Sequence, residues 1–163
     1  MKNPVTAYIG LGSNLANPAE QIKAARAAIA DIAGVQELAF SSVYRSPPMG
    51  PQDQPDYVNA VMAIATELPP IDLLRCLQQI ENEQGRVRKA ERWGARTLDL
   101  DVLIYGGQEI NLPDLIVPHT GLAERAFVLY PLFEIAPQLI VPGKGAIAAL
   151  LADCPRNGLE RLN

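Results

Sequence analysis

Between Gly94 and Gly106 the chain reads Gly-Ala-Arg-Thr-Leu-Asp-Leu-Asp-Val-Leu-Ile-Tyr-Gly. Leu98, Leu100, Val102 and Ile104 alternate with other residues, and such alternation with β-branched enrichment predicts a strand over Thr97–Tyr105. Residues i and i+2 of a strand share a face, which sets Asp99 and Asp101 side by side, roughly 7 Å apart. Carboxylates that close repel unless a positive charge lies between them. A bound cation answers this: Mg²⁺ takes one or two protein carboxylates and completes its shell with phosphate oxygens, and two such ions fit between paired acids. An exposed strand face with both acids turned to solvent is the alternative.

The segment before this strand favours the cation. Gly85 to Arg96 carries Arg86, Arg88, Lys89, Arg92 and Arg96 against one acid, Glu91, so five of the chain's 14 Lys+Arg fall in it. Arginine makes bidentate phosphate contacts, and a basic loop beside an acidic metal site suits polyphosphate transfer. A charge run by itself is equally compatible with a solvated loop or a nucleic-acid backbone. Trp93, the single tryptophan, suits stacking on a base or ring in either case.

The formal charge of −4 and the pI near 5.0 argue against general binding to nucleic acid or a membrane surface and make the basic segment a local device. With 163 residues, 48% of them apolar, and a mean hydropathy of +0.05, one domain over residues 1–163 is expected. Two cysteines, Cys76 and Cys154, do not make a disulfide framework. Neither a leader pattern nor an apolar run approaching 18 residues is evident, and a cytoplasmic protein is expected.

In chain order, Val5–Leu11 is a first strand. Asn17 is placed to cap a helix that starts at Pro18, with Glu20 three residues on, Ile22, Ala25, Ile29 and Ile32 as the apolar stripe, and Gly34 at the C-terminal cap. The Gly10-x-Gly12 pair invites a dinucleotide reading, but the third glycine is missing, and no Walker A sequence occurs anywhere. Gln36–Tyr44 is a second strand. Four prolines between Arg45 and Asp56 then exclude helix and central strand, leaving a long loop rigid enough to line a site. In a third strand, Tyr57–Glu67, Tyr57 and Asn59 share a face. They are suited to stack on and hydrogen-bond a flat heterocycle, although plain packing of the ring explains them as well.

Pro69-Pro70 opens a second helix, Ile71–Gln84, with Ile71, Leu74, Leu77 and Ile80 inward. Gly106-Gly107 reads as a tight turn that makes Gln108–Leu112 the return strand of a hairpin. His119, the lone histidine, lacks the partners of a zinc site or a triad, which favours a structural role. Gly121–Ile135 reads as helix broken at Pro131, Leu139–Val141 as a short strand, and Ala146–Ala152 as a last helix. The order β-α-β-β-α-β, with additions after the fourth strand, is that of a ferredoxin-like α+β sandwich.

With these pieces placed, the chain resembles the 6-hydroxymethyl-7,8-dihydropterin pyrophosphokinases over nearly its full length. The resemblance rests on Gly12-Ser13-Asn14, the run Pro47 to Asn59, Gly85 to Arg88, Arg92-Trp93-Gly94, Arg96 to Asp101, Val117-Pro118-His119 and Pro131 to Pro137. It implies an enzyme that moves diphosphate from ATP to a pterin alcohol in folate biosynthesis; a monomer is expected, and the acidic charge balance argues against nucleic-acid or membrane partners. Asp99 and Asp101 would hold two Mg²⁺ ions. The pterin would stack between Tyr57 and Phe127 and hydrogen-bond Asn59, Ser46 and the backbone near Pro48 and Met49. ATP would contact Gln78, Glu81, Arg88, Val102, His119 and Arg125, while Arg86 and Arg96 reach its phosphates as the basic loop closes with Trp93. Two departures from the family pattern are Ser46, where threonine is frequent, and Thr120, where an aromatic is frequent. Competing readings are a single-stranded RNA-binding sheet and a metal-dependent phosphohydrolase.

Overall fold

The computed structural model describes residues 3–14, 17–47, 57–85, 98–156 and 158–162. Along the chain come β1 (Val5–Ser13), α1 (Pro18–Ala30), β2 (Val35–Phe40), β3 (Tyr44–Ser46), β4 (Tyr57–Thr66), α2 (Pro70–Gly85), β5 (Leu98–Tyr105), β6 (Ile110–Leu112) and β7 (Leu115–Val117). A 3-10 turn at Leu122–Glu124 precedes α3 (Ala126–Ile135), and β8 (Ile140–Val141), β9 (Gly145–Ala146), α4 (Ile147–Ala152) and β10 (Glu160–Arg161) complete the described elements.

The main sheet has the order β10-β3-β4-β1-β5, with β2 also paired to β4, and its pairings are antiparallel. One face carries α1 and α2. Ile22, Ala25 and Ile29 of α1 and Leu73, Leu74, Leu77 and Ile80 of α2 pack there on Ile9 and Leu11 of β1, Ala60, Met62 and Ile64 of β4, and Leu98, Leu100 and Val102 of β5. The opposite face is partly covered by α3, with α4 packed on α3; Leu129 and Leu132 of α3 and Ile147 of α4 share one buried cluster with Val61, Leu103 and Ile104. This is the ferredoxin-like α+β sandwich expected from the element order.

Several local expectations are corrected. The strand expected at Gln36–Tyr44 is two strands, because Ser41 breaks it: its hydroxyl accepts the Val61 N–H at 2.9 Å in place of a backbone carbonyl, while its own N–H bonds Val61 O. Gln108–Leu112 is not the return strand of β5; Ile110–Leu112 pairs with Leu115–Val117 in a separate ribbon. Pro131 does not break its helix. It lies buried inside α3, where burial of Val128, Leu129 and Leu132 outweighs one lost backbone hydrogen bond. Asn17 caps α1 through its backbone carbonyl, which accepts from Glu20 and Gln21 at 3.0 and 3.1 Å, not through its side chain. Gly34, with φ of +84°, takes the left-handed position in the turn beyond the helix rather than at its cap. The pairing of β10 with β3 was not foreseen.

Candidate active site

Strand periodicity and register build the site. Since Leu98, Leu100 and Val102 face the helices, Asp99 and Asp101 face the other way. The same alternation puts Gly10 and Gly12 of β1, and Tyr57 and Asn59 of β4, on that second face. The register then sets Asn59, Gly12 and Asp99 in one row across three strands, and Val61, Gly10 and Asp101 in the next. Two successive positions of the central strand thus carry no side chain, leaving a furrow between β4 and β5. A β-carbon on Gly12 would lie 3.1 Å from Asn59 Oδ1, and one on Gly10 3.3 Å from Leu103 Cδ2.

This furrow is the floor of a cavity of about 210 Å³ whose walls include Ser46, Pro47, Tyr57, Asn59, Asp99, Asp101, Leu103, His119, Arg125 and Phe127. On the β3–β4 side, Asn59 Nδ2 donates to Ser46 Oγ at 2.8 Å, and both residues are buried. That bond orients the amide and keeps the Ser46 hydroxyl proton available to a ligand. Phe127 reaches the cavity from the first turn of α3.

The turn after β7 supplies the remaining wall. The Val117–Pro118 peptide is cis, and the His119 N–H bonds Leu103 O at 3.0 Å, tying the turn to β5. His119 Nδ1 accepts the Gly121 N–H at 3.1 Å, which places the imidazole proton on Nε2 as a donor. Gly121 has no side chain to spare room for: a β-carbon there would lie 2.5 Å from Arg125 Nε. The guanidinium of Arg125 lies 5.7 Å from the Phe127 ring centroid.

Glu81 of α2 sits at the open edge of β5. Its carboxylate accepts the Leu100 N–H at 2.7 Å, and its pKa is pushed up to about 7, by burial first and then by the charges of Asp99 and Asp101, against the lowering effect of that hydrogen bond. Because Leu100 N–H points outward, the polar backbone of Val102, two residues on, lies along the same edge, while the Val102 side chain is in the core. Gln78 accepts from Arg75 at 2.9 Å.

The structure therefore brings Ser46, Tyr57, Asn59, Asp99, Asp101, His119, Arg125 and Phe127 to one cavity. Gln78, Glu81 and Val102 are not among its lining residues. Arg86, Arg88, Trp93, Arg96, Pro48 and Met49 lie outside the described residues. Sequence reasoning missed Gly10 and Gly12, although a signal existed: two glycines at i and i+2 of a strand open one face of it. Among the described residues no group of three or more His, Cys, Asp or Glu is placed to hold a metal ion, so the candidate metal site is the aspartate pair. No described helix is long and apolar enough to cross a membrane.

Fold and cavity together define a ferredoxin-like α+β protein with a ligand pocket on the sheet face opposite α1 and α2. The chain belongs to the 7,8-dihydro-6-hydroxymethylpterin-pyrophosphokinase (HPPK) family, whose model matches residues 8–137. It is 52% identical over 159 residues to the 2-amino-4-hydroxy-6-hydroxymethyldihydropteridine pyrophosphokinase of Haemophilus influenzae, covering 98% of this chain and 99% of that one. It is 54% identical over 155 residues to the protein of the same name from Pseudomonas aeruginosa, covering 95% of each. Among solved structures, wild-type Plasmodium falciparum HPPK-DHPS with pteroate superposes with a TM-score of 0.72 at 12% identity. That match covers 92% of this chain but only 42% of the longer one, and it speaks for the fold. Family membership makes the protein an enzyme, a pyrophosphokinase of folate biosynthesis with ATP as co-substrate.

Proposed function

We propose that this cavity is where diphosphate passes from ATP to the hydroxymethyl group of 6-hydroxymethyl-7,8-dihydropterin, with Asp99 and Asp101 at the junction of the two substrates. The observation that carries the reading is the continuity of the cavity. It runs across the sheet from a flat-ring site on β3 and β4, made of Ser46, Tyr57 and Asn59, to the paired acids on β5 and the donors His119 and Arg125. Direct transfer between two bound substrates needs such adjacency.

The residues at each point suit the chemistry. Tyr57 and Phe127 provide rings for stacking, and the buried Asn59–Ser46 pair offers oriented donors and acceptors to the edge of a heterocycle. Asp99 and Asp101 fit Mg²⁺, two ions being expected: a pair of carboxylates, with no metal-holding group of three or more His, Cys, Asp or Glu among the described residues, suits an ion that completes its shell on nucleotide phosphates. When bound, Mg²⁺ neutralises phosphate charge and makes the substrate hydroxyl more acidic. His119, whose Nδ1 accepts the Gly121 N–H, and Arg125 both line the cavity, and they would hold the nucleotide through Nε2–H and the guanidinium. Gln78, Glu81, Arg88 and Val102 would complete its site, with Arg86, Arg96 and Trp93 closing over the phosphates. In the reaction the hydroxyl oxygen bonds to the β-phosphorus, the bond from that phosphorus to the α-phosphate oxygen breaks, AMP departs, and the hydroxyl proton is released.

Residues 1–163 would act as one domain and as a cytoplasmic monomer, needing no nucleic acid or membrane. The experiment is to incubate the protein with ATP and Mg²⁺, with and without 6-hydroxymethyl-7,8-dihydropterin, and separate the nucleotides by chromatography. AMP that appears only with pterin is the expected result. ADP, or phosphate release that ignores pterin, would overturn the reading.

A further inference from the structure

The break between β2 and β3 is held by one side chain outside the cavity. Glu134, in the last turns of α3, accepts the Ser42 N–H at 3.0 and 3.1 Å, the Ser42 hydroxyl at 2.8 Å and the Tyr44 hydroxyl at 2.7 Å. Arg161 of β10 lies 3.8 Å from the same carboxylate. Three donors, two from Ser42 in the break and one from Tyr44 at the start of β3, thus converge on one residue of α3.

What Glu134 joins matters more than the count of bonds. Phe127 and Glu134 are seven residues apart on α3, two helical turns, and so lie on the same face about 10 Å apart along the axis. At one end that face brings Phe127 to the cavity; at the other it is fastened to Ser42 and Tyr44. From Tyr44 the strand runs two residues to Ser46, which bonds Asn59. Tyr44 pairs with Asn59 and Ser46 with Tyr57 in the β3–β4 register. The Glu134 carboxylate therefore links the element that carries one wall of the ring slot, Phe127, to the elements that carry the other, Ser46, Tyr57 and Asn59.

We infer that Glu134 is a positioning residue for the pterin: by fastening α3 to β3 it sets the gap between Phe127 and the β3–β4 wall to the thickness of one flat ring. This rests on the assignment of that slot to the pterin. A small change in a stacking gap is costly because dispersion contacts fall off within an ångström, so loosening the clamp acts first on the ring. Of the expected nucleotide donors at the cavity, His119 sits on the turn tied to β5, and Arg125, which caps α3, reaches out on a long side chain that can follow a small shift of the helix.

The test compares steady-state kinetics for wild type, Glu134→Ala, Glu134→Gln, Tyr44→Phe and Asn59→Ala, each with circular dichroism as a check on folding. Glu134→Ala is expected to raise the KM for pterin about tenfold while the KM for ATP stays within about twofold, and Glu134→Gln, which keeps an acceptor, to recover most of that loss. If Glu134→Ala does not fold, Tyr44→Phe removes one of the bonds at nearly constant shape and is expected to raise only the pterin KM, about threefold. An unchanged pterin KM in both variants, or equal rises for pterin and ATP, overturns the inference. Asn59→Ala separates the two levels. If it leaves the pterin KM unaltered, the slot assignment itself fails; if it raises that KM while the Glu134 and Tyr44 variants do not, only the positioning role falls.

Discussion

The Glu81 carboxylate accepts its hydrogen bond from the N–H of Leu100, the residue that stands between Asp99 and Asp101 in sequence and points to the opposite face. One helix side chain therefore fixes the edge of the strand that presents both acids. A hydrogen bond to a charged group contributes about 1.5–3 kcal/mol, reduced here because burial, and after it the charges of Asp99 and Asp101, favour the neutral form. Glu81→Ala is expected to cost about 1 kcal/mol in urea denaturation without metal, and Glu81→Gln, which keeps an acceptor and removes a like charge, less than half of that. Equal losses in both would show that the charge, not the bond, is what matters.

Asp99→Asn and Asp101→Asn keep shape and remove charge from the pair. Each is expected to lower AMP formation by at least about a hundredfold, in line with the loss of a metal-binding carboxylate, while far-ultraviolet circular dichroism stays that of wild type. Retention of more than about a tenth of the activity in Asp99→Ala would refute its metal role.

The two floor glycines separate a steric effect at the ligand from one in the core. Gly12→Ala puts a methyl 3.1 Å from Asn59 Oδ1, inside the slot, and is expected to raise the pterin KM about tenfold with a change in stability below about 1 kcal/mol. Gly10→Ala meets the end of the Leu103 side chain at 3.3 Å, which turns aside more easily, so its effect on that KM should be several-fold smaller. Equal KM values for both variants would mean that the furrow is not the ring site.

The clamp also predicts how stability responds to pH. Burial tends to raise the Glu134 carboxyl, but the hydrogen bonds from Tyr44 and Ser42 outweigh it and hold the group below its ordinary value of 4.5. A depressed acid contributes stability that is fully present above that ordinary value and is lost as pH falls through the folded one. The Tm of Glu134→Gln should therefore depend less steeply on pH below about 4.5 than that of wild type. At the alkaline end, burial and then Glu134 push the Tyr44 hydroxyl up to about 12, so its contribution is present below 10 and is lost between 10 and 12. Parallel Tm curves for wild type and Tyr44→Phe above pH 10 would contradict this.

Much of the molecule was legible in the sequence because its cues are local. Period-2 alternation placed Asp99 with Asp101 and Tyr57 with Asn59, and 3.6-residue spacing found the buried stripes of α1 and α2. The motifs around Pro118-His119 and Asp99 carried the family resemblance. Periodicity says which residues share a face of their own element, and nothing about which element lies beside it. That Gly12 stands between Asn59 and Asp99 follows from pairing strands whose residues lie more than 40 positions apart, settled by packing of the sheet on α1 and α2. The break at Ser41, the unbroken α3 through Pro131, the separate β6–β7 ribbon and the fastening of Glu134 to Ser42 and Tyr44 were likewise decided by tertiary partners. Sequence thus determined the chemistry available on each face, and only the folded register determined which of those groups meet around one cavity, because backbone hydrogen bonds and buried side chains remote in sequence choose among locally equivalent arrangements.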